Sequence, residues 1–150
     1  MSTLRERLQR TERVVQLRAR GLDAAQQGLA DAHRVVIACE EAHRAAVARW
    51  QEAMRQHAEA RHENVDAMRE HDAFVLGMKR GVERAAHRIA EARVEEARRR
   101  EDLSLARQEL RKVERWREGL QAAVVAEELR VERRVADEFA ARRSSAPPER

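Results

Sequence analysis

A heptad repeat of large apolar residues is the feature of this sequence that most limits its fold. Leu8, Val15, Leu22, Leu29 and Val36 recur every seven residues. A companion series lies three residues further on and consists of small side chains: Ala25, Ala32, Cys39, Ala46, Ala53, Ala60 and Ala67. Apolar residues with this period form the seam between paired helices. Small residues on one side of that seam let the second helix approach closely.

The composition argues against a sheet and against a thick globular core. The 150 residues include only 2 Pro and 5 Gly, which leaves few turn-forming residues, while 39% are charged and 3% are aromatic. A chain poor in large apolar residues can also be disordered, but disorder is typical of chains with a high net charge. Here the net charge is +4 and the apolar residues are periodic, so we expect ordered helix.

The pattern also predicts where the helices begin and end. Thr3 and Glu6 have capping-box spacing, so a first helix should begin near Leu4. Gly77 can end a helix and Gly81 can open the next. We therefore expect an all-α fold, a long two-helix antiparallel coiled-coil hairpin. Its expected parts are a hairpin over residues 1–143 (helix 1 about 4–73, turn about 74–81, helix 2 about 82–143) and a flexible tail at 144–150.

A short turn favours antiparallel neighbours, and folding about the middle of the chain would place Leu29 near Val124. The large-residue series weakens after Trp50, where its positions become His57, Asn64 and His71. The alternative architecture is one unbroken helix that dimerises. Two glycines within five residues, each costing about 1 kcal/mol inside a helix, argue against that alternative.

The sequence contains little catalytic chemistry. It has no glycine-rich phosphate loop, no nucleophile elbow and no cysteine pair. His62 and Asp66 have the spacing of two metal ligands on one helix face, but a third ligand and a walled cleft are needed as well. We expect no catalytic residue, no cofactor, no metal site and no enzyme activity. A single cysteine, Cys39, cannot form an internal disulfide, which fits a cytoplasmic protein, and no apolar run is long enough to insert into a membrane.

Two surfaces could bind partners. The first is the expected turn, where apolar side chains lie beside two basic ones: Phe74, Val75, Leu76, Met78, Lys79 and Arg80. Such side chains either plug the end of the coil or form a partner-binding patch. The second is the C-terminal part of helix 2, where charges of both signs surround Val131, Val135 and Phe139.

This C-terminal part resembles the end of the FliJ/YscO family, the central-stalk proteins of flagellar and virulence type III secretion. The resemblance lies in Trp116-Arg117-Glu118 and in the Glu/Arg-rich segment 128–143. The family ends in a helix with an Asp-Glu pair and trailing basic residues. The matching positions here are Glu132, Asp137, Glu138 and Arg142.

The resemblance implies a helical hairpin on the cytoplasmic side of the secretion apparatus. The end that carries both termini would enter the hexameric export ATPase and stimulate it, another part would contact the export gate protein of the inner membrane, and some members bind export chaperones. The ATPase would then be contacted by Glu132, Arg133, Arg134, Asp137, Glu138, Arg142 and Arg143. The export gate would be contacted by Phe74, Val75, Leu76, Met78, Lys79 and Arg80.

Two other functions stay open. One is a generic coiled-coil scaffold or dimerisation protein without an ATPase partner. The other is a basic binder of nucleic acid or acidic membranes, which Arg98-Arg99-Arg100 would suggest. However, Glu95 and Glu96 stand four residues before Arg99 and Arg100, so this patch is neutralised on its own helix, and we expect no nucleic-acid partner.

Overall fold

The computed structural model describes residues 2–148 and contains two helices in that range. Helix α1 is Leu4–Glu59 (56 residues), helix α2 is Val65–Ser144 (80 residues), and residues 60–64 connect them. No strand is present in residues 2–148. The expected fold class, an all-α two-helix hairpin, is confirmed. Neither helix has, within the described range, a stretch apolar enough and long enough to cross a membrane.

The N-terminus of α1 forms the expected capping box. The Thr3 backbone N–H donates to Glu6 Oε2 at 3.0 Å, and the Glu6 backbone N–H donates to Thr3 Oγ1 at 3.2 Å. These reciprocal bonds satisfy two backbone N–H groups that have no partner inside the helix. The helix accordingly begins at Leu4.

The position expected for the turn is wrong. Residues 74–81 lie inside α2, and no glycine in the described chain has the left-handed backbone that would make Gly77 a helix stop. The chain turns at residues 60–64 instead, where Asn64 caps α2: the Ala67 backbone N–H donates to Asn64 Oδ1 at 2.8 Å. A glycine inside a helix costs only about 1 kcal/mol, which continued packing offsets. An N-cap asparagine stabilises a helix start by a similar amount.

The chain divides into two compact units, of which the first joins the start of α1, up to Leu22, to α2 from Ala106 onward. Within it, Val15 and Thr11 are buried, and the Thr11 hydroxyl donates to a backbone carbonyl of its own helix at 2.9 Å. Two ion pairs link α1 to α2 in this unit. Arg5 pairs with Glu128, and Arg117 lies 3.7 Å from Glu12. The pairing of early α1 residues with late α2 residues shows that the helices run antiparallel.

The second unit, Asp23–Leu105, contains the alanine seam. Leu29 and Leu103 line one groove of this unit, so the expected placement of Leu29 near Val124 is wrong. The earlier turn shifts every pairing of α1 with α2 toward the N-terminal part of α2. Most buried side chains here are small. Ala32, Ala46 and Ala53 belong to the predicted companion series, and Ala85 and Ala92 of α2 are buried with them, together with Val36 and Leu103.

The basic run in the second unit is neutralised as expected. Arg99 Nε donates to Glu95 Oε1 at 2.9 Å, and an Arg100 guanidinium N–H donates to Glu96 Oε1 at 2.6 Å. Both pairs have the i,i+4 spacing that stabilises a helix surface.

Candidate partner-binding surfaces

The C-terminal end of α2 continues past the start of α1. Arg5, in the first turn of α1, pairs with Glu128, and α1 begins at Leu4. All described residues from 125 to 148 are exposed. Residues 129–144, called the overhang below, therefore form a helix with no α1 residue opposite. Helices of nearly equal length were expected, so the sequence did not predict this segment.

An apolar stripe runs along the overhang. Val131, Val135 and Phe139 follow at intervals of four residues, which places them on one side of the helix, and their exposed fractions are 46%, 59% and 64%. Val124, seven residues before Val131, is half-buried and lines a groove with Leu4 of α1. The stripe is thus the packing face of α2 continued beyond its partner. Exposed apolar faces of this kind mark interaction sites.

Seven charged side chains surround this stripe, and all are exposed. They are the residues expected to contact an ATPase: Glu132, Arg133, Arg134, Asp137, Glu138, Arg142 and Arg143. No ion pair between them and another residue is formed within residues 2–148, whereas Arg130, one turn earlier, lies 3.6 Å from Glu127. The Arg143 guanidinium instead lies 5.9 Å from the centre of the Phe139 ring, within the range of a cation–π contact. Charges of both signs are therefore available to a partner.

The residues expected to contact an export gate lie along α2 rather than at the turn. Val75 and Met78 are half-buried, whereas Phe74 and Leu76 are 51% and 47% exposed. Lys79 and Arg80 are exposed as well. The alternative that these apolar side chains plug the end of the coil is wrong, because residues 60–64 form that end. What remains is a set of exposed side chains along α2, with Phe74 and Leu76 on different sides of the helix.

Three histidines lie in and beside the connection between the helices, and the sequence analysis did not identify them as a group. His57 and His71 were assigned to the weakened heptad series, and His62 was paired with Asp66. Their rings lie close together: the centroids are 5.2 Å apart for His57–His62, 4.6 Å for His57–His71 and 5.6 Å for His62–His71. His57 and His71 are equally distant from Asn64 in sequence, so an antiparallel hairpin that turns at Asn64 brings them opposite each other. A turn predicted at Asn64 would therefore have predicted the cluster. In residues 2–148, no group of three or more His, Cys, Asp or Glu residues is arranged as it stands to hold a metal ion.

The grooves between the helices are open to solvent, as in the second unit, where Glu40, His43 and Arg93 line one of them. Fold and surfaces together define a helical hairpin with exposed apolar and charged helix faces.

Residues 7–149 match a family model described as "Flagellar FliJ protein". The chain belongs to the FliJ family, whose members are stalk proteins of flagellar and type III export, with a structural or adaptor role rather than a known enzyme activity. No curated protein matches this chain. No solved structure matches it either.

Proposed function

We propose that this chain is the stalk of a flagellar export apparatus, on its cytoplasmic side. The overhang of α2 inserts into the hexameric export ATPase and stimulates ATP hydrolysis, while another surface links the ATPase to the export gate. The observation that carries the proposal is the overhang itself. It is a helix end with an apolar stripe, charges of both signs and no helix opposite. The flagellar description of the matching family favours a flagellar system over a virulence system.

The chemistry of the overhang suits contact with a ring of identical subunits. Ion pairs between exposed side chains stabilise a contact by only about 0–1 kcal/mol each. Several such pairs can hold a helix inside a ring and still let it move from one subunit to the next. Burial of Val135 and Phe139 would add apolar stabilisation at about 25 cal/mol per Å². Binding would thus combine one apolar stripe with many exchangeable charges.

A charge reversal in the overhang tests this proposal. The double variant Asp137→Lys, Glu138→Lys inverts two exposed carboxylates that form no ion pair within residues 2–148. We expect it to lower stimulation of the purified export ATPase at least severalfold while circular dichroism shows unchanged helix content. The matched control is Glu101→Lys, Asp102→Lys, which reverses two adjacent exposed carboxylates elsewhere on α2. Full stimulation by the folded Asp137/Glu138 variant would reject the assignment.

The export gate would contact α2 around residues 74–80, where Leu76, Lys79 and Arg80 share one exposed side of the helix. The double variant Phe74→Ser, Leu76→Ser should reduce co-purification with the gate protein and leave ATPase stimulation intact. The matched control, Val94→Ser with Leu105→Ser, removes two apolar side chains that are similarly exposed, at 61% and 54%. Export chaperones, the other partner class that the family resemblance implies, stay a prediction.

A coiled-coil scaffold without an ATPase is the second candidate, and the uncovered stripe of the overhang favours it, because a second copy could cover that stripe. This candidate predicts a stable dimer in light scattering at micromolar concentration. It also predicts that Phe139→Ser converts the dimer to a monomer. The stalk proposal predicts a monomer before and after that substitution.

A further inference from the structure

Three elements bring one histidine each to the turn. His57 lies in the last turn of α1, His62 in the connection, and His71 in the second turn of α2. Their ring centroids are 4.6–5.6 Å apart. The export function proposed above uses none of them.

Of the three histidines, His57 has the most informative contacts at its two ring nitrogens. Its Nε2 atom lies 2.9 Å from Asp72 Oδ1, and its Nδ1 atom is buried without a hydrogen-bond partner in the described chain. A buried polar atom without a partner costs about 1–3 kcal/mol. A histidine with a carboxylate beside one ring nitrogen and no hydrogen-bond partner at the other has the arrangement typical of metal ligands.

We propose that His57, His62 and His71 bind one divalent transition-metal ion, with zinc as the best fit, and that Asp72 orients the His57 ring. Imidazole nitrogens bind zinc at about 2.0–2.1 Å, so two rings on one tetrahedral ion have centroids about 5 Å apart. The three observed separations lie on either side of that value.

The site forms on binding. The rings now pack against one another, with interplanar angles of 44°, 87° and 70°, and their donor atoms do not meet at one point. Binding would require the side chains to rotate about χ1 and χ2 so that three nitrogens point to a shared ion. Such an ion would join the end of α1, the connection and the start of α2, and it would stabilise the turn by binding the folded state alone.

The test uses the full chain without a polyhistidine tag, stripped of metal and titrated with ZnCl₂ in a calorimeter. We expect one zinc ion per chain, a Kd of about 10 μM or tighter, and a rise in Tm on saturation. The triple variant His57→Gln, His62→Gln, His71→Gln should bind at least about 100-fold more weakly, since it removes all three ligands. The matched control is His87→Gln, an exposed histidine of α2 outside the cluster, which should bind like the unaltered chain.

Two further variants complete the test. Asp72→Asn should weaken zinc binding about 10–100-fold without changing the stoichiometry, as the loss of an orienting carboxylate does. His62→Gln, in the connection, should weaken it at least about 10-fold, and it decides the matter if the triple variant loses helix content. Absence of saturable binding below about 100 μM zinc, or equal binding by His62→Gln, would overturn the proposal. Stimulation of the ATPase is a separate measurement, so this proposal and the export function can fail independently.

Discussion

Glu96 of α2 accepts a hydrogen bond from His33 Nδ1 of α1 at 3.0 Å, across the helix pair of the second unit. Glu96 is only 9% exposed, and its other carboxylate oxygen accepts a bond from Arg100 at 2.6 Å. A buried charge is costly unless its partners are in place. An alanine seam alone allows neighbouring registers of nearly equal stability. The pairing of Glu96 with His33 therefore favours a single register, as polar residues at seam positions do in coiled coils.

This pairing predicts a loss of stability in acid. The hydrogen bond from His33 lowers the pKa of the Glu96 carboxyl below its ordinary value of about 4.5, although burial opposes the shift, and the nearby Arg100 charge lowers it further. A lowered pKa in the folded state means that the ionised carboxylate adds stability above pH 4.5, which is lost as the pH falls through the lowered pKa. We expect Glu96→Gln to lower Tm at pH 7 and to flatten the dependence of Tm on pH below 4.5.

The measurement is thermal unfolding followed by circular dichroism between pH 7 and pH 3. The matched control is Glu91→Gln, which removes an exposed carboxylate that pairs with His87 one turn earlier. Exposed pairs contribute little, so this control should keep the acid transition of the unaltered chain. An identical acid transition in Glu96→Gln would contradict the role assigned to the Glu96 carboxylate.

The sequence predicted local features well and long-range ones poorly. The capping box at Thr3 and the alanine seam depend on residues a few positions apart, and both are present. The register depends on where the chain turns. The sequence pattern predicted the helix stop at Gly77 and indicated Asn64 only as a polar position of the weakened heptad series. The choice of Gly77 misplaced every pair between the helices. The bond between His33 and Glu96, the histidine cluster and the overhang all follow from the register and could not be predicted without it.

Two substitutions separate the two possible turns. Gly77→Ala should raise the free energy of unfolding by about 0.5–1 kcal/mol, because Gly77 is inside a helix and a Cβ there meets no atom within 4 Å. Asn64→Ala should lower it by about 1 kcal/mol through loss of the N-cap. Urea denaturation measures both values. Gly21→Ala, also inside a helix with open space around its Cβ, is the control and should match the gain at Gly77. If Gly77→Ala lowers the free energy of unfolding instead, the chain turns at residues 74–81 and not at Asn64.

A larger side chain at Ala53, the most buried alanine of the seam, should destabilise the second unit. Ala53 is 3% exposed, so Ala53→Leu places three extra carbon atoms where the helices are in contact. We expect the free energy of unfolding to fall by about 1–3 kcal/mol, the usual cost of overpacking. Ala58→Leu, five residues later and on the exposed side of α1, is the matched control and should change stability by less than about 0.5 kcal/mol. Equal stabilities for the two variants in urea would show that α2 does not pack over Ala53.

The apolar stripe of the overhang should matter for binding and not for folding. Val135 and Phe139 are 59% and 64% exposed and have no α1 residue opposite. The double variant Val135→Ser, Phe139→Ser should therefore change the free energy of unfolding by no more than about 0.5 kcal/mol per site. If the stripe packs inside the export ATPase, the same variant should weaken co-purification at least tenfold, because two side chains no longer bury apolar surface. Leu17→Ser, with a 63% exposed leucine on α1, is the control that should leave binding intact. A variant that unfolds readily yet binds normally would mean that the stripe packs within this chain instead.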